Sequence, residues 1–228
     1  MKRFILITIF LFAASGYQRL SDSTWSTSES EPTLWIKFCD KMQSQIFSDS
    51  DLPDSDVLRG QSLAFNDVIQ SVIDDFNNVT ASYLRLAIYP TDPSNPGTPV
   101  TGDSTFTIAK GEIRTIEVCI ESSSNPFQGG HALPKIEDGN LIGCEIVMSK
   151  SVNNEIDSFI STLTHEIGHC AGFDHSQSTT HSIMSYHHKI DEIRLMIDDK
   201  IGLVHMFPMG GYDLKERPNF GLSCSFKD

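Results

Sequence analysis

Two histidines four residues apart, His165 and His169, with Glu166 following the first and His175 six residues beyond the second, are the residues of this chain whose types and spacing could do chemistry. On a helix, positions four apart project from one face, so both imidazoles can reach a single ion at about 2.0–2.1 Å. Glu166 points beside that ion. From there its carboxylate can take a proton from water activated by the metal and pass it to a departing amine. Gly172, three residues after His169, suits a sharp left-handed exit from the helix. That exit would return His175 as third ligand and leave a tetrahedral zinc one position for water and substrate.

Positioning these groups requires a helix, and Ile156, Phe159, Ile160, Leu163 and Ile167 supply its apolar stripe, predicting a helix from about Asn154 to Cys170 with Asn153 or Asn154 as cap. A second helix is predicted over Ser62 to Phe76 from Leu63, Phe65, Val68, Ile69, Val72, Ile73 and Phe76. A third helical pattern runs from Ile190 to Phe207, stopped by Pro208. Strands are expected at Thr33–Cys39, Leu84–Tyr89, Thr115–Ile120 and Leu141–Met148, the last after a turn at Asp138-Gly139-Asn140. Proline and glycine mark a loop from Pro90 to Gly102, and Ser48–Asp56 reads as an acidic, solvated turn.

The segment from His165 to His175 resembles the metzincin clan of zinc peptidases, whose extended zinc signature it matches at all five fixed positions. Ser182-Ile183-Met184-Ser185-Tyr186, nine residues beyond His175 at its methionine, is similar to the clan's methionine-containing turn, with Met184 as a polarizable apolar floor beneath the imidazoles. Tyr186 resembles the position at which astacin-like members carry a tyrosine that can donate to a developing oxyanion. The short interval before Met184, and the ending Ile197-Asp198-Asp199-Lys200-Ile201-Gly202-Leu203, are similar to matrixins.

The resemblance implies an α/β (α+β) fold: a twisted mixed sheet backed by helices, a zinc-binding active-site helix, and a small C-terminal subdomain. Residues 33–228 would form that catalytic domain, with an upper lobe of about 33–172 and a lower lobe of about 173–228. It further implies one catalytic Zn2+, a polypeptide substrate, and an edge strand within His131–Met148 that pairs with extended substrate. His131 resembles a histidine that matrixins use for a structural zinc, but its companion ligands have no counterparts, so it reads as a surface residue. His181, His187 and His188 receive no role. From another class comes the alternative of a catalytically silent, zinc-containing binding module of the same fold; intact Glu166 favours the enzyme.

At 228 residues, 39% hydrophobic and 21% charged, the chain has the composition of one folded domain or two closely packed lobes. Met1-Lys2-Arg3, an apolar run from Phe4 to Ala14, and small residues at Ala14 and Gly16 read as a signal peptide over residues 1–16, too short to span a bilayer. Export to the periplasm or the exterior follows as an expectation, with no stable membrane span afterwards. Its removal takes the formal charge from −13 to −15. Such an acidic chain lacks the basic footprint of a nucleic-acid binder. Residues 17–32, rich in Ser, Thr and Glu, read as a mobile leader. Cys39, Cys119, Cys144, Cys170 and Cys224 leave one thiol over, and the strand-like settings of Cys119 and Cys144 suggest that these two pair.

Overall fold

Thr33–Phe38 alternates buried and half-buried residues along its length, the signature of a strand with one face on a core. This is β3 in a computed structural model that describes residues 18–19, 24–28, 30, 33–39, 47, 52–61, 63–89, 114–120, 129–149, 155–176, 179–186 and 192–210. The signal segment, the Pro90–Gly102 loop, His187, His188, the two proposed asparagine caps and Cys224 lie outside the described residues. The strands are β1 (Gln18–Arg19), β2 (Thr24–Trp25), β3, β4 (Arg85–Ile88), β5 (Thr115–Ile120), β6 (Gly130–Glu137), β7 (Asn140–Met148) and β8 (Phe173–Asp174). The helices are α1 (Phe65–Asn77), α2 (Ile156–Ala171) and α3 (Ile197–Met206).

Six strands form one mixed sheet in the order β2-β7-β5-β3-β4, with β6 antiparallel to β7 and the other pairings parallel. Parallel neighbours need long crossovers, and α1, between β3 and β4, supplies one of them. Val68, Ile69, Val72, Ile73 and Phe76 bury one stripe of α1, and Ile156, Phe159, Ile160, Leu163 and Ile167 one stripe of α2. Both join Leu34, Ile36, Ile116, Val118 and Ile146 in one core. Burial of each such side chain contributes about 1.5–3 kcal/mol, so this shared layer dominates the stability of the frame. The Asn77 side chain, which donates to Leu86 O and accepts from Leu86 N at 2.9 and 2.7 Å, locks the end of α1 to β4.

Three expectations are corrected. The third helix begins at Ile197, not Ile190. Before it, Ile193 and Leu195 are buried while Arg194 turns the other way to reach Asp56 and Asp75, an alternating pattern that a helix cannot deliver. The Asp199 carboxylate then accepts the Met196 N–H at 2.9 Å and starts the helix there. The cysteines pair as Cys39–Cys119 and Cys144–Cys170, not Cys119–Cys144. In the β5/β7 register Cys144 stands opposite Ile116 and Cys119 opposite Val147, which puts the two sulfurs on opposite faces of the sheet.

Nor is the 17–32 segment wholly detached. Thr24–Trp25 pairs with Asn140–Leu141, Gln18–Arg19 pairs with Phe173–Asp174, and Trp25 is buried with its indole N–H donating to Cys170 O at 2.7 Å. A tryptophan offers far more apolar area than its polar neighbours suggest, and its N–H found an acceptor at the end of α2.

Candidate metal centre

His165 and His169 stand one turn apart near the end of α2, and their rings meet edge to face at 4.7 Å. The helix ends at Gly172, whose φ of 107° is open to glycine and strained for other residues. Its N–H bonds His169 O at 2.9 Å, closing the turn. The chain then doubles back through β8 and delivers His175. His175 Nε2 lies 3.2 Å from His165 Nε2 and 3.3 Å from His169 Nε2. Three nitrogens at 2.0–2.1 Å from a tetrahedral ion would be about 3.3–3.4 Å apart, so the spacing fits zinc.

The protonation chemistry fits as well. His165 Nδ1 donates to Ile183 O at 2.8 Å and His169 Nδ1 to Phe173 O at 2.9 Å. Those bonds place the proton on Nδ1 and leave the Nε2 lone pairs converging, the arrangement a cation requires. Burial holds the His169 ring below the usual histidine range, against the Phe173 carbonyl that opposes it. Burial likewise lowers His175, with Asp174 opposing. Neutral imidazole is the ligating form. Cys39, Glu117 and Cys119 also come together, but the two sulfurs are bonded to each other.

Glu166 is 5% exposed, and burial pushes its carboxyl up to about 7, against a hydrogen bond from the Ala132 N–H of β6. Its Oε2 has no hydrogen-bond partner among the described residues. A carboxyl anchored through the Ala132 N–H, with a second, unpartnered oxygen, next in sequence to His165 and pushed up to about 7, is equipped to exchange a proton with water.

Met184 is buried against α2, where a Cβ on Gly168 would run into its sulfur, so glycine there leaves room for the methionine side chain. Tyr186 is 61% exposed and stacks on His175, centroids 4.3 Å apart and planes 21° from parallel. The sequence-derived constellation is therefore gathered in one place. His131, on β6, and His181 are exposed and stand outside the cluster of ligating groups.

Sequence reasoning missed Asp199, which is fully buried and accepts Ser182 Oγ at 2.5 Å and Ile183 N at 2.8 Å. Because Ile183 O in turn accepts from His165, Asp199 is linked to the His165 ring through the backbone of one residue. Its signal was the acidic pair Asp198-Asp199 opening an otherwise apolar helical stretch.

The mixed, mostly parallel sheet and the three helices packed with it fit the metzincin fold. The chain belongs to the matrixin family, whose peptidase M10 family model matches residues 21–208. No curated protein sequence matches the chain. Among solved structures, it is similar to one titled GM1 bound form of the ECX AB5 holotoxin, at 11% identity and a TM-score of 0.47 over 85% of this chain and 87% of that one. It is also similar to metalloproteinase-II from Bacteroides fragilis, at 13% identity and a TM-score of 0.40, covering 81% of this chain and 56% of the other.

Proposed function

We propose that the protein is an exported zinc-dependent endopeptidase that cleaves peptide bonds within polypeptides, with His165, His169 and His175 as metal ligands and Glu166 as general base and then acid. The observation that carries this reading is the convergence of three Nε2 atoms beside a buried carboxyl whose second oxygen has no partner. Zinc, when bound, supplies Lewis acidity toward a peptide carbonyl and toward water. Glu166 Oε2 removes a proton from the attacking water while the Ala132 N–H steadies the other oxygen, and the same carboxyl returns the proton to the amine nitrogen as the C–N bond breaks. Tyr186, stacked on His175, would donate its phenol O–H to the oxygen that gains charge. Met184, packed against Gly168 of α2, would supply polarizable apolar surface beside the turn that His165 bonds. Export is supported by the basic, apolar and small-residue order of residues 1–16.

The test is Glu166→Ala, assayed on a denatured protein mixture by mapping new termini, with zinc measured in parallel. Zinc content should be retained and turnover should fall about a hundredfold to ten-thousandfold. Undiminished turnover would remove Glu166 from the mechanism. A zinc-loaded parent that generates no new termini would instead point to the silent binding module. His175→Ala should lose most of its zinc; unchanged stoichiometry would refute the third-ligand role.

A further inference from the structure

We propose that Asn78, in the triplet Asn78-Val79-Thr80, is an acceptor for an N-linked oligosaccharide attached as the chain is exported. The proposal rests on the export half of the reading above and is independent of the metal site.

Asn-X-Ser/Thr, with any residue but proline in the middle, is the pattern an oligosaccharyl transferase accepts: the asparagine supplies the amide nitrogen, and the hydroxyl two residues on is recognised. Asn78-Val79-Thr80 is the one such triplet in the sequence, since no other asparagine has Ser or Thr two positions on. Three residues make a short pattern, so the decision falls to where the fold puts them.

Two adjacent asparagines end α1, and the fold divides their roles. The Asn77 side chain donates to Leu86 O and accepts from Leu86 N, so it is spent on β4. Asn78 and Thr80 are exposed, and neither side chain hydrogen-bonds among the described residues. Val79 between them is buried and anchors the turn. The backbone gives no reason for an asparagine at 78. Asparagine is used at helix ends to enter the left-handed conformation, but Asn78 has φ −84° and ψ 3°, and its cap is made by the backbone N–H alone.

The position is also clear of the chemistry. Asn77 ties the end of α1 to β4, at one edge of the sheet, whereas Glu166 bonds Ala132 of β6, at the other. The compartment agrees as well. Cys39–Cys119 and Cys144–Cys170 call for oxidising surroundings, which an exported chain meets.

In the reaction the Asn78 amide nitrogen bonds to the anomeric carbon of an oligosaccharide borne on a lipid diphosphate. The bond from that carbon to the diphosphate oxygen breaks, the lipid diphosphate leaves with the electron pair, and the nitrogen gives up one proton. Nothing is oxidised or reduced, and Thr80 is recognised without being altered.

The experiment expresses the full chain, with its own leader, in a eukaryotic secretory host beside a reporter glycoprotein whose own sugar shows the transferase to be active. Asn78→Gln, Thr80→Ala and Thr80→Ser are expressed in parallel; both positions are exposed, so the folded frame tolerates the changes. The exported parent should exceed the mass of its polypeptide by a whole number of hexose and N-acetylhexosamine residues. Peptide N-glycosidase in heavy-oxygen water should remove the excess and leave a labelled aspartate at position 78. Asn78→Gln and Thr80→Ala should lack the excess, and Thr80→Ser should retain it on at least part of the chains. An exported parent of bare polypeptide mass beside a glycosylated reporter would overturn the proposal and leave export standing, and a sugar that persists in Asn78→Gln would overturn it equally. A chain that keeps its leader and stays inside the cell would sink the export reading, and this proposal with it.

Discussion

Asp199 shows how one buried carboxyl can hold the turn on which the His165 ring rests. Burial pushes its carboxyl up, while donors at Ser182, Ile183, Met196 and Met184 pull it back. Those donors bind the turn that carries Met184 and, through Ile183 O, the ring of His165. Asp199→Asn keeps the volume but sets an amide N–H against groups that are themselves donors. It should cost about 1.5–3 kcal/mol of stability, the range for hydrogen bonds to a charged group, and should weaken zinc by at least about tenfold. Urea unfolding and competition with a chelator measure the two losses, and normal zinc affinity in a destabilised variant would confine Asp199 to folding. Tyr186→Phe asks the complementary question at the exposed side of the site. If the phenol donates only in the transition state, turnover should fall by about tenfold or more with little change in the Michaelis constant. The stacked ring survives the substitution, so an unchanged turnover number would leave Tyr186 a packing partner of His175.

The segment before α3 is tied to the rest of the fold by Arg194, whose guanidinium bonds both oxygens of Asp56 at 2.9 and 3.0 Å and reaches Asp75 at 3.1 Å. The two carboxylates shift in opposite directions. Burial raises Asp56, but the paired bonds from Arg194 and one from the Leu58 N–H outweigh it and leave it below the usual carboxylate range. For Asp75 the single Arg194 contact does not outweigh burial, and the charge of Asp56 adds to the rise. A lowered carboxyl stabilises the fold above its unfolded pKa of 3.8, and that stability is lost as pH falls through the lower folded value. A raised one does the reverse, costing stability as pH climbs from 3.8 through its higher folded value. Asp56→Asn should therefore destabilise by about 1.5–3 kcal/mol at pH 7 and much less at pH 3, whereas Asp75→Asn should cost less at pH 7 than at pH 3. Denaturant midpoints at the two pH values decide this, and equal losses for both variants at pH 7 would contradict the division of roles.

At the scale of the whole chain, what the sequence disclosed was what lies within one stretch of it. The stripes of α1 and α2 and the strand at Thr115–Ile120 are periodic in themselves, and the ligand set spans only eleven residues, so a helix and one turn suffice to assemble it. What escaped depends on partners distant along the chain. The polar surroundings of Trp25 conceal that its indole closes on Cys170, 145 residues away, and nothing near Asp199 says that it will hold residues 182–184. Cysteine pairing depends on strand register and face, which no local pattern states. That pairing leads to a test of how folding and metal binding are joined. Cys144–Cys170 ties β7 to the residue after His169, whereas Cys39–Cys119 joins β3 to β5 on the opposite side of the sheet from Cys144. Loop-closure entropy for separations of 80 and 26 residues corresponds to about 4.5 and 3.5 kcal/mol. Removing either bridge by paired Cys→Ala changes should therefore lower the urea midpoint by comparable amounts. Zinc should distinguish them, because only the Cys144–Cys170 bridge bounds the turn that carries His169 on to His175. Its loss should speed zinc release to a chelator under native conditions, while loss of Cys39–Cys119 leaves that rate within about twofold of the parent. If both variants release zinc at the parent rate, the ligand turn is held by Gly172, Trp25 and the β1–β8 pairing without help from the disulfide.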